Sequence, residues 1–402
     1  MNTTLETHDI PLLKDHHNHL SLYALLLDCP NLQHEQSKAN ALALLLSLDP
    51  ARVSVVLGWH SGYYDFTPAD LTLLPPVIVV NISLHRFLIS PAAETQLRDK
   101  YPEIIAHYQD SDWFEAHMPQ MLIFLSSQVE PTLERYTAFF DFMVQQGVYY
   151  VEEMQLPGDN AYQILQSSPF SSRTGFWTTP EIYSQLNWDT RRGLFGIKLF
   201  TDGALGARTA ALKLPYTNGT QGGLLYTDAA LYKSMRDVSV SEKGLAVHAI
   251  GDLATEQVVR VVRQLKTDGY TFPLVRMEHC QFIEEKTARE ARDLNLTLSM
   301  QPNFNSDSAI YSDRLPAVYL ENNNPFRMLI DHIGFTAGLD LILGSDGMPH
   351  GAQAALQNSL FPPFPGQQLT LSEFCAAYGM QDNRFGSIRV EVDQQEKTIK
   401  LL

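Results

Sequence analysis

The sequence predicts an α/β fold, a (β/α)8 barrel of the TIM type with a large insertion after its first strand. Two observations carry this prediction. Eight short apolar, β-branched runs recur along the 402 residues, and segments of helical spacing lie between most of them. Strands that alternate with helices favour a parallel sheet, and eight such repeats favour its closure into a barrel.

The eight runs are the predicted barrel strands. In chain order they are Asp9–Leu13, Gly147–Val151, Arg173–Trp177, Leu194–Phe200, Gly244–Ala249, Leu274–Met277, Leu296–Met300 and Leu339–Leu343. Between the fifth and sixth runs, Thr255–Leu265 repeats valines at helical spacing among Gln and Arg residues. Glu284–Leu294 is charged on one face and carries Ala288 and Ala291 on the other, so it is also predicted to be a helix.

The long interval from Leu20 to Gln146 does not fit a single crossover between two strands. It contains two further strand-like runs, Val53–Gly58 and Val77–Ile82. We therefore expect residues 1–385 to form the barrel, with 20–146 inserted between its first and second strands. Residues 386–402 alternate apolar and polar side chains, which predicts a short strand or hairpin outside the barrel.

Composition excludes several classes of protein. There are 29 Lys and Arg residues against 45 Asp and Glu residues, a net charge of −16, so we expect no nucleic-acid partner. No apolar run approaches the ~18 residues of a membrane span, and the N-terminus lacks the pattern of a signal peptide. Three widely spaced cysteines do not form a disulfide framework. We expect a cytoplasmic protein with no membrane partner that acts on a small molecule.

Residues capable of binding a metal end five of the eight runs. The first run is followed by Asp15-His16-His17-Asn18-His19, and side chains two apart on an extended segment point the same way. The residues that end the other four runs are Lys198, His248, His279 and Asp346. Imidazole and carboxylate suit Zn²⁺ and neighbouring divalent metals. Their arrival at one barrel mouth predicts a metal centre.

Each of these residues also has a plain structural interpretation. A lone histidine is more often a hydrogen-bonded core or surface residue, and Asp346 is in a position to cap the following segment. Lys198 lies among apolar neighbours, where an ammonium is costly unless it is paired or neutralised. One account is a salt bridge to Asp202, and the other is a carbamate that bridges two metal ions. The conjunction over five strand ends favours the metal centre.

These residues resemble a known family. Asp15-x-His17-x-His19 is similar to the first-strand motif of the amidohydrolase superfamily, whose members are metal-dependent hydrolases built on a (β/α)8 barrel. Longer strings resemble amidohydrolase family 3, which includes exoenzyme regulatory protein-like and N-substituted formamide deformylase-like members. These strings are Lys198-Leu-Phe-Thr-Asp-Gly-Ala-Leu-Gly-Ala-Arg208-Thr-Ala-Ala211, His248-Ala-Ile-Gly-Asp252, Arg276-Met-Glu-His279-Cys-Gln281 and Gly344-Ser-Asp346. The similarity runs from about Pro11 to Gly386.

The resemblance implies a centre with two divalent metals, Zn²⁺ first among them. It places His17 and His19 on the more buried ion, His248 and His279 on the second, and Lys198 as a carbamate between them. Some relatives in the superfamily bridge the ions with a carboxylate, which makes Glu152 or Glu153 a substitute for Lys198.

The implied activity is hydrolysis of a C–N bond, in an amide or N-acyl amine, by a metal-activated hydroxide. Asp346 would contact the first ion and act as general base and then general acid. Two alternatives stay open. One is a mononuclear metal-dependent deaminase, and the other is a non-catalytic metal-binding scaffold or regulator.

Four residues are predicted to contact substrate. His85 lies where the family has a histidine, although the residues after it keep only part of the family pattern. Asp202 and Arg208 lie in a Gly-rich loop after Lys198, where an internal ion pair is the equal alternative. Gln301 ends the seventh run and either faces the pocket or satisfies backbone groups.

The chain departs from the family it resembles in the small β-sandwich that most members build from both chain ends. Only Met1 to His8 precede the first predicted strand, and the C-terminal tail is short. We therefore expect the sandwich to be absent or reduced to one hairpin. A homo-oligomer, in which a partner subunit covers that flank, is an alternative to an unsupported barrel.

Overall fold

A computed structural model of the chain describes residues 5–81, 84 and 86–402. The described residues form two compact units. The first consists of the segment up to Leu20 together with Phe139–Leu402, and the second is Ser21–Ala138.

The strands, in chain order, are β1 (Leu5–Pro11), β2 (Leu13–Asn18), β3 (Ser54–Trp59), β4 (Val77–Asn81), β5 (Phe87–Ile89), β6 (Val148–Glu153), β7 (Thr174–Thr178), β8 (Gly196–Phe200), β9 (Gly244–Ala249), β10 (Val275–His279), β11 (Thr297–Met300), β12 (Leu341–Leu343), β13 (Ser387–Asp393) and β14 (Thr398–Leu401).

The α-helices are α1 (Leu20–Leu26), α2 (Lys38–Leu46), α3 (Pro68–Leu73), α4 (Pro91–Leu97), α5 (Pro102–His107), α6 (Ser111–Ala116), α7 (Met118–Ser126), α8 (Leu133–Gln145), α9 (Asp159–Gln166), α10 (Pro180–Gln185), α11 (Trp188–Gly193), α12 (Asp228–Val240), α13 (Asp252–Thr267), α14 (Glu285–Asp293), α15 (Asp307–Ile310), α16 (Ala317–Asn322), α17 (Ala352–Leu360) and α18 (Leu371–Tyr378). A π-helical turn covers Met328–Ile333, and 3-10 turns cover Ser171–Arg173, Pro302–Ser306, Pro365–Gln367 and Asn383–Phe385.

Eight parallel strands form the centre of the first unit, in the order β12-β11-β10-β9-β8-β7-β6-β2. The two end strands meet, because the backbone N–H after β12 at Asp346 donates to the His17 carbonyl on β2 across 2.7 Å. The sheet is therefore nearly closed on itself. This confirms the predicted α/β barrel of the TIM type.

The first predicted strand was placed wrongly. Asp9–Leu13 is divided between two sheets: β1 ends at Pro11, and the first barrel strand, β2, begins at Leu13. Pro11 has no backbone N–H to donate, and it lies in β1, an edge strand of its sheet, where a proline is tolerated. The seven other barrel strands lie within a few residues of their predicted bounds.

A small antiparallel sheet in the first unit has the strand order β1-β13-β14. β13 and β14 form a hairpin, and β1 pairs with β13 from Leu5 opposite Asp393 to Pro11 opposite Ser387. Both ends of the described chain thus contribute to one sheet, where the sequence interpretation counted only a C-terminal hairpin.

The second unit has its own sheet and its own core. β3 and β4 are parallel, and β5 is antiparallel to β4. Two apolar clusters cover the sheet, one around Phe114 and Phe124 and one around Trp59 and Leu45. None of the helices in the described ranges combines the length and the apolar character that crossing a membrane requires.

Candidate metal centre

The carboxyl ends of the barrel strands bring most of the predicted ligands together. His17 comes from β2, Lys198 from β8, and His279 from the end of β10. One ligand atom from each of His17, His279 and Asp346 lies within 4.8 Å of the other two. The Lys198 Nζ is 3.0 Å from the His17 Nε2. This cluster sits where the strands of a barrel of this type present functional side chains.

The remaining two predicted ligands border this cluster. The His19 Nε2 lies 3.2 Å from the Asp346 Oδ1. The His248 ring centroid is 4.6 Å from that of His279. The His248 Nε2 lies 3.3 Å from the Gly203 carbonyl oxygen and 3.4 Å from the Asp202 Oδ1, so Nδ1 is the nitrogen available for another contact. All six predicted metal-binding residues therefore lie in one neighbourhood of the first unit.

His17 is fully buried and has both ring nitrogens engaged. Its Nδ1 is 2.7 Å from the Glu278 Oε2, and its Nε2 faces Lys198 and Asp346. Burial lowers the pKa of His17 to about 4, with the nearby Lys198 acting in the same direction. The ring is therefore neutral near pH 7, with its Nδ1–H donated to the Glu278 carboxylate and its Nε2 lone pair directed toward the cluster.

His279 also directs its ring into the cluster, and its backbone has an unusual conformation. Its φ is +70°, in the left-handed region that non-glycine residues rarely adopt. Its Nδ1 lies 2.8 Å from the Gln301 Oε1, which leaves Nε2 for the cluster. Burial lowers the pKa of His279 well below its ordinary value, so this imidazole is also neutral.

This donor set fits a divalent metal. Histidines that bind metals almost always donate their second ring N–H to a carboxylate or carbonyl oxygen, and His17 and His279 both do so. Neutral imidazoles and an ionised carboxylate are ligands of Zn²⁺ and its neighbours. The residues present therefore suit the group that the sequence predicts.

Lys198 is buried, and its Nζ bonds to His17. Among the described residues, none places a carboxylate oxygen within 4.0 Å of its Nζ. Burial lowers the pKa of Lys198 to about 8, although the charges of Asp346 and Glu278 oppose this. The proposed salt bridge to Asp202 is wrong. The Asp202 carboxylate instead accepts backbone N–H bonds from Ala211, Ile250 and Gly251 across 2.8–3.0 Å. That carboxylate secures the base of the loop after β8.

The loop that carries Asp346 is secured from the opposite edge of the sheet. Its neighbour Ser345 donates its backbone N–H to the Asp15 Oδ1 across 2.8 Å. Asn18 donates to the Asp15 Oδ2, also across 2.8 Å. Asp346 has a φ of +55°, so this anchorage holds a sparsely populated backbone conformation in place. Asp15 thus supports the centre without being one of its ligands.

A line of buried charges leads away from His17 and was missed by the sequence interpretation. Arg276 donates to Glu278 and, across 2.7 Å, to the Glu152 Oε2. Glu152 also accepts from the Trp177 Nε1 across 2.9 Å. Although burial opposes it, the Arg276 guanidinium holds the pKa of Glu278 and of Glu152 well below the ordinary value.

Glu152 was named as a substitute bridge between metals, and its position contradicts that role. Its two oxygens are taken by Arg276, Trp177 and His16 rather than by the metal cluster. The signal for this network was present in the sequence. Arg276 and Glu278 lie two apart inside a buried parallel strand, where charges occur only when paired.

The predicted substrate contacts are placed as follows. His85 lies outside the described residues. Gln301 is buried and bonds to His279, and Asp202 serves the backbone of its loop. Arg208 is half-buried with a φ of +60°, and it makes no ion pair with Asp202 in the described part of the chain. Contact of Asp202, Arg208 and Gln301 with substrate stays a prediction.

Comparison with known proteins gives a consistent picture. The model of the amidohydrolase family matches residues 114–354. A segment of 122 residues is 35% identical to YtcJ of Bacillus subtilis (strain 168), which is named as an amidohydrolase. That match covers 30% of this chain and only 23% of YtcJ.

Two solved structures are similar over most of the chain. An uncharacterized metal-dependent hydrolase from Pyrococcus horikoshii OT3 has a TM-score of 0.71 at 19% identity, covering 96% of this chain and 86% of its own. A second, from Pyrococcus furiosus, has a TM-score of 0.69 at 18% identity, covering 96% and 87%. At these identities the likeness shows a common fold.

Proposed function

The chain belongs to the amidohydrolase family, and on that premise we propose that it is a metal-dependent hydrolase that cleaves the C–N bond of an amide or N-acyl amine. One observation carries the proposal. Ligand atoms of His17, His279 and Asp346 converge within 4.8 Å at the barrel mouth, beside the buried Lys198. A site with buried neutral imidazoles, a carboxylate and a buried lysine is suited to binding divalent metal rather than to packing.

We assign two ions, with Zn²⁺ as the expected metal. His17, His19 and Asp346 would hold the first, and His248 and His279 would hold the second. Lys198 would bind both as a carbamate, formed when its neutral amine attacks CO2 and loses a proton. Its burial, with no carboxylate of the described residues within 4.0 Å, supports this assignment, because an unmodified ammonium is costly there. A carbamate would replace that buried cation with an anion between two cations.

The reaction is R–CO–NH–R′ plus water to a carboxylic acid and an amine. Bound divalent metal supplies a Lewis acid for the carbonyl and lowers the pKa of water from 15.7 to roughly 7. Asp346 accepts the proton of the attacking water on its carboxylate and then delivers it to the departing nitrogen. Asp15 and Ser345 keep the loop of Asp346 in place during both transfers.

Metal analysis of Lys198→Ala tests the bridge. The wild-type protein is expected to hold two ions per chain. The variant is expected to lose at least one, with partial recovery in small carboxylates such as formate or acetate. Lys213→Ala is the matched control, since Lys213 pairs with Glu256 and Glu284 on the surface and leaves the count unchanged. One ion per chain, unaffected by Lys198→Ala, would refute the binuclear assignment.

A substrate panel tests the reaction. Metal-loaded protein is assayed against formamides, N-acyl amines, lactams, esters and aminated heterocycles, with release of amine, acid or ammonia as the signal. Amine and acid released together support C–N hydrolysis. Ammonia released from an aminated ring would favour the mononuclear deaminase instead. A fully metallated protein that turns over no member of the panel would favour the non-catalytic scaffold.

A further inference from the structure

The two central imidazoles differ in what stands behind them. The His17 Nδ1 lies 2.7 Å from a carboxylate oxygen of Glu278, and the His279 Nδ1 lies 2.8 Å from the amide oxygen of Gln301. Both partners are buried, and both rings direct Nε2 to the same cluster. The two histidines are therefore matched in geometry and unequal in charge.

The charge behind His17 is fixed by its own partner. Arg276 forms an ion pair with Glu278 and a second one with Glu152, 2.7 Å away, inside the barrel strands. An arginine is always protonated in proteins, so a guanidinium at this position requires a carboxylate facing it. Glu278 is thereby held as an anion against the Nδ1–H of His17.

The neutral character of the other partner is equally fixed. An amide side chain does not ionise, and Gln301 is oriented by a second contact. Its Nε2 lies 3.4 Å from the Ser299 carbonyl oxygen, which leaves Oε1 as the end that faces His279. His279 thus donates to a neutral acceptor.

An anion that accepts the Nδ1–H of a metal-binding histidine raises the basicity of the ring, and a neutral acceptor does so less. We propose that Glu278 and Gln301 grade the two imidazoles, so that the ion bound by His17 is held more tightly than the ion bound by His279. This inference rests on the proposed two-metal centre. Glu278 and Gln301 act as positioning residues that tune the ligands without touching metal or substrate.

Reciprocal substitutions test the grading. Zn²⁺ affinity is measured by competition with chromophoric chelators, starting from metal-free protein. The wild-type protein is expected to show a tight and a weak site. Glu278→Gln should weaken the tight site about 10–100-fold, the range found when such supporting groups are lost. Gln301→Glu should strengthen the weak site, and both variants should narrow the gap between the two sites.

Asp252→Asn is the matched control. Asp252 is a buried carboxylate in the same unit that bonds to Tyr319 and to the backbone of Lys213. Its loss is expected to leave both metal affinities unchanged. Circular dichroism checks that each variant is folded, and if Glu278→Gln does not fold, Gln301→Glu still decides the question.

The outcomes separate this inference from the proposed function. Affinities that respond as expected without hydrolysis of any panel substrate would support the grading and remove the enzymatic proposal. If the protein hydrolyses a panel substrate but its two metal affinities are unchanged in both variants, the enzymatic proposal is supported and the grading is refuted. Two equal sites in the wild-type protein, or a single site, would refute the grading.

Discussion

Replacing Arg276 with methionine should strongly destabilise the metal-free protein. Arg276 is buried and donates to both Glu278 and Glu152, and also to the His16 carbonyl oxygen across 2.8 Å. Methionine fills much of the same volume but leaves Glu278 without its cation and Glu152 with only the Lys14 ammonium, 3.8 Å away. Breaking a buried ion pair from one side costs about 3–5 kcal/mol. We expect a loss in this range, because Glu278 keeps its bond to His17 and Glu152 keeps its bonds to Trp177 and His16.

The pH dependence of this loss has a definite sign. Without Arg276, burial raises the pKa of Glu152 and Glu278 above the unfolded value of about 4.3. The protonated carboxyls then fit the fold, and their ionisation opposes it. The destabilisation should therefore be largest near pH 7 and shrink as the pH falls toward 4.

The assay is urea unfolding followed by far-UV circular dichroism, with EDTA present so that metal binding does not contribute. Arg289→Met is the matched control, since Arg289 forms an exposed pair with Glu285 on α14, where such pairs contribute about 0.2–1 kcal/mol. The double variant Arg276→Met with Glu152→Gln should recover part of the loss. If Arg276→Met costs no more than Arg289→Met, the buried network does not contribute as described.

Two further predictions concern stability. Burial raises the pKa of Asp307 to about 7, so its neutral form favours the fold; that contribution is full below the unfolded pKa of about 3.9 and is lost as the pH rises toward 7. Asp307→Asn keeps the acceptor for Gln281. It should raise the free energy of unfolding by about 2–4 kcal/mol at pH 7.5 but not at pH 4. An equal effect at both pH values would contradict this reasoning. Gly196→Ala should destabilise the protein by about 1–3 kcal/mol, because a Cβ there would lie 2.2 Å from the Trp177 ring and 2.3 Å from the Gly244 carbonyl oxygen. The control is Gly366→Ala, whose added Cβ would meet no atom within 4 Å. Equal unfolding free energies for the two variants would refute the close packing at Gly196.

Most of the candidate centre could be predicted from the sequence because its residues stand at the ends of apolar runs. In parallel strands, the carboxyl ends meet on one side of the barrel, so run-end residues such as His248 and His279 must be neighbours. The order of the runs along the chain also determines the order of the strands in the sheet. The pattern of apolar runs and the polar residues at their ends was therefore enough to predict the fold class and the set of candidate ligands.

The hydrogen-bond partners that side chains find on neighbouring strands could not be predicted from the apolar runs. Glu278 and Gln301 lie in separate runs, and which histidine each one supports depends on how the strands stagger. Neighbouring side chains on a regular strand face opposite ways, so His279 would face away from Glu278. The φ of +70° at His279 breaks this alternation at the end of β10. Left-handed backbone at a non-glycine residue has no signature in a single sequence.

The sequence by itself determined the periodicity, the polar run ends and the acidic charge, because these depend only on residue order. The tertiary structure decided where β1 leaves off and β2 begins, and that Glu152 pairs with Arg276 rather than facing the metal cluster. It also decided that Asp202 binds backbone N–H groups instead of Lys198. These outcomes depend on which buried groups meet in three dimensions, where every buried charge and N–H requires a partner.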